Sequence, residues 1–402
     1  MTAWAGVLGR SSRRRRVAVA AVLGLTVFAA ACTSTPAAEE RAQTRPPSTE
    51  SKAPPKPAVV SITPVDTSVD VAPGDPVVMA AKNGKLTQYL LTNPEGKQVA
   101  GTLSPDGSVW QSAEALGFGK TYTASAIGEG SDGKPVTLTS TFSTVTPRVK
   151  ADLSMNPLDG QTVGVGQPLA FYFDTKIADR AAAEAAIQIT TTPPVEGDFH
   201  WFDDKQVHWR PKDYWPAGTQ VSINAAIYGK NFGNGIFGND SRSANVVIGD
   251  AVVATADGAT HQMTVSVNGQ VARTIPISMG KPGHETPSGV YVVMSEHTNY
   301  TMDSGTYGVP ADSPAGYRTT VDVATRLSNS GIFYHSAPWS VGDQGNRNVS
   351  HGCINMTTEA AAWLQSISNK GDVVIIQNSG GPVLEPWDGL GDWQIPWEQW
   401  IV

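Results

Sequence analysis

Cys353 stands in the stretch NVSHGCINM and is one of only two cysteines in the 402 residues. The other, Cys32, lies far upstream in FAAACTS. A thiol attacks an amide carbonyl only as its thiolate, and an ordinary cysteine is mostly protonated at neutral pH. A nucleophilic Cys353 therefore needs a base within hydrogen-bond reach, and His335 is the candidate.

The N-terminal segment indicates that this thiol is exported. Before a mainly apolar run at residues 17–31, the chain carries five arginines and no acidic residue. This run is too short for an ordinary membrane-spanning helix, which needs about 20 residues, but it suits a secretory signal, so we predict that residues 1–31 are a signal peptide. The segment resembles a bacterial lipoprotein signal with Cys32 as the lipidated residue, although Ala29 replaces the usual leucine. A cleaved signal without lipid and an uncleaved anchor are the alternatives.

Export changes how the charge and Cys353 are interpreted. Removing the five signal arginines from 29 Lys and Arg leaves 24 against 36 Asp and Glu, a net charge of −12. An acidic protein is a poor candidate for binding phosphate backbones, so we predict no nucleic-acid partner. Exported cysteines normally pair, and lipidation of Cys32 would leave Cys353 without an intramolecular partner. A reactive thiol is the first interpretation, and a buried inert cysteine is the alternative.

Residues 32–57 join the lipidation candidate to a tether. After Cys32, the stretch TSTPAAEERAQTRPPSTESKAPPKP is rich in Pro, Ala, Ser, Thr and charged side chains and cannot bury a core. In polyproline II geometry it would reach about 75 Å, at about 3.1 Å per residue. Such a tether would lift the following domains off a membrane.

Residues 58–250 contain a weak internal repeat. VAPGDPVVM around Gly74 recurs as VGVGQPLAF around Gly166, and WQSAEALGFGK recurs as WRPKDYWPAGT. Short alternating strands punctuated by Gly, Pro and Asp predict two immunoglobulin-like β-sandwiches, at residues 58–148 and 149–250. Neither contains a cysteine, so an inter-sheet disulfide is excluded. The alternative is that the repeat reflects generic strand-and-turn composition.

Residues 251–378 differ in kind and predict a compact β-rich domain. GIFYHSAP indicates a buried strand that ends at His335 and Ser336, and DVVIIQN indicates another. TTEAAAWLQSI indicates a helix with a threonine cap near Thr358. We expect His335 and Cys353 to lie on loops at strand ends, where proteins often carry their chemistry. The apolar face of the helix is expected to consist of Ala362, Leu364 and Ile367.

Residues 379–402 form a tryptophan-rich C-terminal extension. EPWDGLGDWQIPWEQW holds four of the eleven tryptophans, and Trp397 and Trp400 have the spacing of one helical turn. So short a segment is unstable alone, and we expect it to dock on the preceding domain. The predicted fold class is therefore mainly β: two sandwiches, a β-rich domain with one clear helix, and this extension.

The block from His335 to Asn355 resembles the signature of the YkuD-type L,D-transpeptidases. His335, fourteen intervening residues and then SHGCIN match that signature in spacing and residue type together. With two predicted immunoglobulin-like domains and a lipoprotein signal in front, the organisation is similar to that of the mycobacterial-type peptidoglycan L,D-transpeptidases over nearly the full mature chain. One departure is Asn355, where many bacterial members carry arginine.

Chemistry and resemblance together suggest roles around Cys353. The base must take the thiol proton and return it to the leaving amine, and His335 suits both steps. Its imidazole needs an acceptor on the far nitrogen, a role that the resemblance gives to Ser336 through its backbone carbonyl. Backbone N–H groups of Gly352 and Cys353 are the candidate oxyanion donors, and the glycine allows close backbone approach or a positive φ.

The resemblance also implies a donor pocket beneath a lid. TNYTMDSGTYGVPADSPAGYRTTV is predicted to be a long loop that covers the cysteine, with Tyr307 and Tyr317 walling the pocket. The alternatives are that these aromatic side chains are ordinary packing and that His351 has a structural role. The other expected substrate-binding residues are Met302, Trp339, His351 and Asn355.

A zinc site is the rival interpretation of His335, His351 and Cys353. These are proper zinc ligands, but no fourth ligand or metal-type spacing accompanies them. We therefore predict neither a metal nor a cofactor. His200 and His208, in the second predicted sandwich, are expected to face solvent or a strand surface.

These observations predict a lipid-anchored, extracytoplasmic, monomeric enzyme. By resemblance, Cys353 attacks the bond between meso-diaminopimelate and D-Ala of a peptidoglycan tetrapeptide stem. D-Ala leaves, and the acyl group passes to a neighbouring stem in a 3→3 cross-link. Carbapenems are the implied inhibitors. A hydrolase that uses the same cysteine and a non-catalytic wall-binding lipoprotein are the rival functions.

Overall fold

The computed structural model describes residues 54–313 and 316–402. The predicted signal peptide, Cys32 and most of the predicted tether lie outside these residues. The described chain is mainly β, with two sandwiches followed by a β-rich domain. No helix in the described residues combines the length and the apolar character needed to cross a membrane.

The first sandwich buries its core between a four-stranded and a three-stranded sheet. Its strands are β1 (Val59–Thr63), β2 (Val78–Lys82), β3 (Gly84–Thr92), β4 (Gly101–Leu103), β5 (Val109–Ser112), β6 (Thr121–Gly130) and β7 (Pro135–Ser143). The sheets have the orders β1-β2-β5-β4 and β3-β6-β7. Because alternate residues of a strand point to opposite faces, β6 buries Tyr122, Ala124 and Ala126 against Trp110.

The second sandwich pairs two four-stranded sheets. Its elements are β8 (Val149–Ala151), β9 (Leu153–Asn156), β10 (Thr162–Val163), β11 (Leu169–Phe173), α1 (Arg180–Ala185), β12 (Ile187–Thr192), β13 (Gly197–Trp201), β14 (Gln206–Pro211), β15 (Gln220–Ala225), β16 (Ile236–Gly238) and β17 (Arg242–Ile248). The sheet orders are β10-β17-β15-β12 and β13-β14-β11-β9, and β8 pairs separately with β16. Trp209 and Trp215 pack in the core between the two sheets.

The C-terminal domain contains a five-stranded and a four-stranded sheet. Its elements are β18 (Val252–Asp257), β19 (Gln262–Val267), β20 (Gln270–Pro276), β21 (Gly289–Val292), β22 (Ser295–Asp303), β23 (Arg318–Arg326), β24 (Phe333–Ser336), β25 (Ile354–Met356), α2 (Thr358–Ile367), β26 (Val373–Gln377) and α3 (Trp397–Trp400). The sheet orders are β20-β19-β18-β26-β21 and β22-β23-β24-β25. The buried face of α2 packs into the core of this domain.

Parallel pairing of β24 with β25 brings the two ends of the signature together. Tyr334 pairs with Ile354, and His335 pairs with Asn355. Cys353 directly precedes β25, so the backbone pairing places it beside the strand that carries His335. His335 itself lies within β24 and is buried, which corrects its predicted position on a loop.

The glycine of the repeated turn lies against the next domain in both sandwiches. A Cβ at Gly74 would lie 2.7 Å from the carbonyl oxygen of Tyr228 in the second sandwich. A Cβ at Gly166 would lie 2.6 Å from a methyl group of Val373 in the C-terminal domain. A Cβ at either separation would clash, so each glycine permits its sandwich to pack closely against the next domain along the chain.

The C-terminal extension contacts the second sandwich as well as the C-terminal domain. Gln394 donates to the carbonyl oxygen of Val290 at 2.7 Å in the C-terminal domain. On the sandwich side, the Trp400 indole donates to the carbonyl oxygen of Asp198 at 2.8 Å. The prediction of docking on the preceding domain alone was therefore incomplete.

A buried hydrogen bond and a cation–π cluster hold this second contact. His208 Nδ1 lies 2.6 Å from Asp392 Oδ1, and both side chains are buried. The Arg210 guanidinium lies 4.4 Å from the Trp400 ring and 4.6 Å from the Trp393 ring. The expectation that His208 faces solvent or a strand surface was wrong, because the extension covers it. His200, only partly buried, also contacts the carbonyl oxygen of Trp400 at 3.1 Å.

Two local predictions, the apolar face of α2 and the long loop, need correction in part. The cap of α2 is Thr357, whose side chain accepts from the Ala360 N–H, so the threonine cap predicted near Thr358 is confirmed. Leu364 and Ile367 pack on the core as predicted, but Ala362 is exposed, and the helix buries Ala360 and Ala361 in its place. The stretch predicted to be a long loop, residues 298–321, begins in β22 and ends in β23, which pair as an antiparallel hairpin. The connection between these strands, residues 304–317, opens with a 3₁₀ turn at Ser304–Tyr307, and the loop prediction is confirmed for the described part of this connection only.

Candidate active site

A cavity of about 390 Å³ opens beside Cys353. Strands β24 and β25 supply its floor, and the hairpin of β22 and β23 supplies one wall. Most of the residues predicted from the signature line this cavity. The twelve lining residues are Met302, Tyr317, Thr319, His335, Trp339, Ser340, Asp343, Val349, Ser350, His351, Cys353 and Asn355.

The Cys353 side chain packs among apolar groups at the bottom of the cavity. It belongs to a small cluster with Met302, Val321, Ala324 and Phe333, and only 6% of the residue is exposed. Its Sγ donates a hydrogen bond to the carbonyl oxygen of Gly331 at 3.5 Å. The resting thiol is therefore held by the backbone carbonyl of a residue that lies just before β24.

Two hydroxyl groups fix the turn that carries Cys353. Ser350 Oγ accepts from the Gly352 N–H at 3.0 Å and donates to the Cys353 carbonyl oxygen at 2.6 Å. Thr286 Oγ1 donates to the Gly352 carbonyl oxygen at 2.7 Å and accepts from the Gly280 N–H at 2.9 Å. Sequence reasoning assigned a role to neither. Ser350 lies inside the quoted SHGCIN motif, but Thr286 is 66 residues upstream of Gly352, and its proximity is set by the tertiary fold.

Gly352 adopts a backbone conformation that favours glycine. Its φ is +123°, and a Cβ there would lie 3.3 Å from the Cδ1 atom of Ile332. This agrees with the predicted need for a positive φ. The predicted oxyanion role needs revision, however, because the Gly352 N–H already donates to Ser350 Oγ. The Cys353 N–H is the donor in this turn that Ser350 does not engage.

His335 is held in a defined tautomer. Its Nδ1 lies 2.9 Å from the carbonyl oxygen of Ser336. A carbonyl oxygen only accepts, so Nδ1 carries the hydrogen and Nε2 keeps a free lone pair. The Ser336 hydroxyl is not the partner, because Ser336 Oγ accepts from the Val323 N–H at 3.2 Å.

Asn355 connects His335 to the wall of the cavity. Its Nδ2 donates to Ser340 Oγ at 3.1 Å, and its side chain raises the pKa of the neighbouring His335 imidazole. Trp339 lies on the same side, with its ring centroid 6.0 Å from that of His335. The Trp339 side chain is mostly exposed and rims the opening.

Burial favours the neutral forms of both Cys353 and His335. It raises the pKa of the Cys353 thiol to about 12, against a smaller lowering by the backbone of Phe333. Burial also lowers the pKa of His335, and the hydrogen bonds to Ser336 and Asn355 only partly oppose it. The resting pair is therefore a thiol beside a neutral imidazole.

The two predicted lid tyrosines have different positions. Tyr317 lines the cavity, and burial raises the pKa of its hydroxyl. Tyr307 is not among the lining residues. Its ring instead covers Gly331, where a Cβ would lie 2.7 Å from the ring. The prediction that Tyr307 walls the pocket was therefore wrong. Tyr307 packs behind the thiol, against Gly331, whose carbonyl oxygen accepts the hydrogen bond from Cys353 Sγ.

His351 lies at the exposed rim of the cavity. Its Nε2 is 3.1 Å from Lys281 Nζ, and its ring is 5.0 Å from that of His284 and 5.8 Å from that of Tyr317. Burial and the neighbouring Lys281 lower the pKa of His351. Within the described ranges, no group of three or more His, Cys, Asp and Glu side chains is arranged to hold a metal ion.

The arrangement has the parts needed for nucleophilic acyl chemistry. A buried thiol and an imidazole with a free Nε2 line one cavity, and a backbone N–H lies beside the thiol. The imidazole can accept and return a proton, and the N–H can stabilise a developing oxyanion.

Known proteins resemble the chain along most of its length. A family model described as the L,D-transpeptidase catalytic domain matches residues 251–376, and a bacterial Ig domain model matches residues 68–231. L,D-transpeptidase 2 of Mycobacterium tuberculosis strain CDC 1551 is 48% identical over 83% of this chain and 82% of its own length. L,D-transpeptidase 5 of M. tuberculosis strain H37Rv is 36% identical over 88% of this chain and 78% of its own.

A solved structure is similar as well. The LD transpeptidase LdtMt1, in complex with imipenem, superposes with a TM-score of 0.50 and 38% identity, covering 57% of this chain and all of that one. The matches span both the Ig-like part and the domain that holds the cavity. On the strength of the 48% identical relative and the matching catalytic-domain model, the chain belongs to the L,D-transpeptidase family.

Proposed function

We propose that this protein cross-links peptidoglycan through a thioester on Cys353. The observation that carries the proposal is the single cavity shared by Cys353 and by His335, whose Nδ1–H is held by the Ser336 carbonyl. This tautomer presents Nε2 as a base, which is the group a buried thiol needs. The substrates are tetrapeptide stems, and the product is a 3→3 cross-link.

The acylation half-reaction begins by changing the partner of the thiol. In the resting structure the thiol donates to the Gly331 carbonyl, and with a pKa of about 12 it does not ionise by itself. Bound substrate would turn the thiol toward His335, which takes the proton as Sγ attacks the carbonyl carbon between diaminopimelate and D-Ala. The C–N bond then breaks, and the imidazolium returns the proton to the departing amine.

The deacylation half-reaction mirrors these steps. The side-chain amine of a neighbouring stem gives its proton to His335 and attacks the thioester carbonyl. The C–S bond breaks and the thiol is restored with that proton. One amide is exchanged for another, so no energy source, metal or redox partner is needed. Through both halves the Cys353 N–H is the proposed oxyanion donor.

The pocket residues are proposed to recognise the donor stem. Met302, Tyr317 and Trp339 offer apolar and aromatic contact area around the thiol. Asn355 offers a side-chain carbonyl and amide, and its amide nitrogen already donates to Ser340 Oγ. His351 at the rim is the residue that would first meet an incoming stem.

A product analysis separates this function from its rivals. Protein without the first 53 residues would be incubated with tetrapeptide stems, and the products read by mass spectrometry. A cross-linked dimer with released D-Ala supports the transpeptidase. A free tripeptide alone would indicate a hydrolase on the same cysteine, and unchanged substrate would favour a wall-binding protein without catalysis. Cys353→Ala should abolish every product.

We further propose that the protein is held at the outer face of the cell membrane by lipid on Cys32. The support is the basic and apolar signal that ends in FAAAC, followed by a polar tether. Mass spectrometry of protein extracted from its host should find a lipid-modified Cys32 at the mature N-terminus. A mature chain that begins elsewhere, or an unmodified Cys32, would remove the anchoring proposal.

A further inference from the structure

One charged side chain stands out in the cavity lining. Asp343 is the only carboxylate among the twelve lining residues, and neither lysine nor arginine is among them. Cys353 and the two lining histidines, His335 and His351, all have pKa shifts that favour their neutral forms. Asp343 is therefore the one carboxylate on the described cavity wall, and it is paired with Arg347, which does not line the cavity.

Asp343 lies on the His335 side of the cavity. Its backbone N–H donates to the Ser340 carbonyl oxygen at 2.9 Å, and the Ser340 hydroxyl accepts from Asn355, which in turn contacts His335. Only 22% of the Asp343 side chain is exposed. Its Oδ1 accepts from Arg347 Nε at 2.5 Å, and Oδ2 accepts no hydrogen bond from the described residues. Asp343 thus lines the cavity with Oδ1 engaged by Arg347 and Oδ2 without a hydrogen-bond donor among the described residues.

The reaction brings a cation to this side. An aliphatic side-chain amine has a pKa of about 10.4 and arrives as an ammonium. Before it can attack, the ammonium must release one proton to solvent, and the resulting amine gives a second proton to the same imidazole nitrogen that protonated the departing D-Ala amine. Both amines therefore pass through the region next to His335, and a partly buried carboxylate there attracts the charged form more strongly than it would in bulk water.

We propose that Asp343 binds the ammonium group of the acceptor stem and so holds its nitrogen beside the thioester, where the nitrogen attacks after losing a proton and the cross-link forms in preference to hydrolysis. This inference rests on the proposed function and assigns its acceptor subsite. Asp343 has no role in activating the thiol. Its removal should leave formation of the acyl-enzyme intact and weaken capture of the acyl group by a cationic amine.

The test measures how the acyl-enzyme divides between nucleophiles. Wild type and Asp343→Asn would be acylated by a tetrapeptide stem at neutral pH, with either a tripeptide stem as cationic acceptor or hydroxylamine, which is uncharged there. Asp343→Asn should need an acceptor-stem concentration at least about tenfold higher for half-maximal capture, as expected for loss of a charge–charge contact. Capture by hydroxylamine should change less than about twofold.

Two further variants control for charge and for folding. Asp343→Glu keeps the carboxylate and should retain most of the preference for the cationic acceptor. Glu359→Gln removes an equal charge from the exposed Arg273–Glu359 pair outside the cavity and should behave as wild type. Intact-mass detection of the acyl-enzyme in each variant shows that the site is folded.

The outcomes separate the two proposals. Normal acylation by Asp343→Asn with unchanged capture of the stem amine would overturn the role of Asp343 and leave the transpeptidase standing. Equal losses with the stem amine and hydroxylamine would also overturn it, because a damaged site does not discriminate by charge. Failure of wild type to form any acyl-enzyme would refute the proposed function, and the acceptor subsite with it.

Discussion

The imidazole Nδ1 of His335 lies 2.9 Å from the backbone carbonyl oxygen of Ser336, the next residue in the chain. Any residue at position 336 would supply this carbonyl. The orientation of the proposed base is therefore set by the path of β24 rather than by a third side chain, unlike the Ser-His-Asp arrangement, in which a carboxylate holds the imidazole.

This geometry separates the effects of two neighbouring substitutions. His335→Ala or His335→Gln should lower the acylation rate by several orders of magnitude, consistent with loss of the group that takes the thiol proton. Ser336→Ala keeps the backbone acceptor and should lower the rate less than about tenfold, with a stability loss of about 1 kcal/mol from the Val323 contact. Stopped-flow acylation and chemical denaturation would measure both. Near-full activity of His335→Gln would show that His335 is not the base.

The pH dependence of acylation should show that Cys353 and His335 are both neutral before substrate binds. Because the folded pKa of Cys353 is about 12, thiolate absorbance in the ultraviolet should be absent at pH values where an ordinary cysteine, of pKa about 8.5, is ionised. Because the pKa of His335 is lowered, its base form is fully present above about pH 6.5. Acylation should therefore be flat from there upward. An acylation rate that rises through about pH 8.5 would contradict a Cys353 thiol whose pKa is raised by burial.

The His335 shift also has a consequence for stability. Its folded pKa lies below its unfolded value of about 6.5, so the unfolded chain binds the proton more readily. The contribution of His335 to the free energy of unfolding is then fully present above about pH 6.5 and decreases as the pH falls. His335→Gln should show a weaker loss of unfolding free energy between neutral and mildly acidic pH, measured by denaturant titration.

A carbapenem should trap the proposed nucleophile. Its strained ring offers an amide carbonyl to Cys353, and the opened product would remain as a thioester because no acceptor stem is present. Intact-mass spectrometry should show one inhibitor mass per chain, and peptide mapping should place it on Cys353. Cys353→Ser should form little or no adduct, since a hydroxyl is a poorer nucleophile here. An adduct on another residue, or none after long exposure, would reject Cys353.

The hydroxyl of Thr286 should matter to the cysteine turn although it lies far away in sequence. Thr286→Val keeps the shape but leaves the Gly280 N–H and the Gly352 carbonyl without their buried partner. We expect a stability loss of about 1–3 kcal/mol and slower acylation. Thr286→Ser retains the hydroxyl and is the matched control. Equal behaviour of the two variants would show that the hydroxyl does not hold the turn.

The buried pair between His208 and Asp392 should fasten the C-terminal extension to the second sandwich. Asp392→Ala removes one partner and should cost about 1–3 kcal/mol, because it leaves the buried imidazole without its hydrogen-bond partner. Asp392→Asn keeps a hydrogen-bonding group of the same size and should cost less. Denaturant unfolding followed by tryptophan fluorescence would report the difference, because Trp393 and Trp400 lie in this contact. Wild-type stability in Asp392→Ala would show that the pair is not a fastening.

The local sequence was enough to predict the class of fold and to propose the chemistry. A thiol without a partner, a histidine separated from SHGCIN by fourteen residues, and glycine at 352 are local features, and their chemical requirements follow from residue type alone. Alternating strands punctuated by Gly and Pro likewise predicted sandwiches, because a strand buries every second side chain whatever it packs against.

Contacts between residues that lie far apart in the chain were visible only in the tertiary structure. Thr286 reaches Gly352, Tyr307 covers Gly331 rather than the cavity, and His208 is covered by Asp392 from the end of the chain. None of these contacts has a local pattern, since each depends on how separate sheets and the extension pack. The protonation preferences of Cys353 and His335 have the same origin, because burial is their largest cause and burial belongs to the assembled fold.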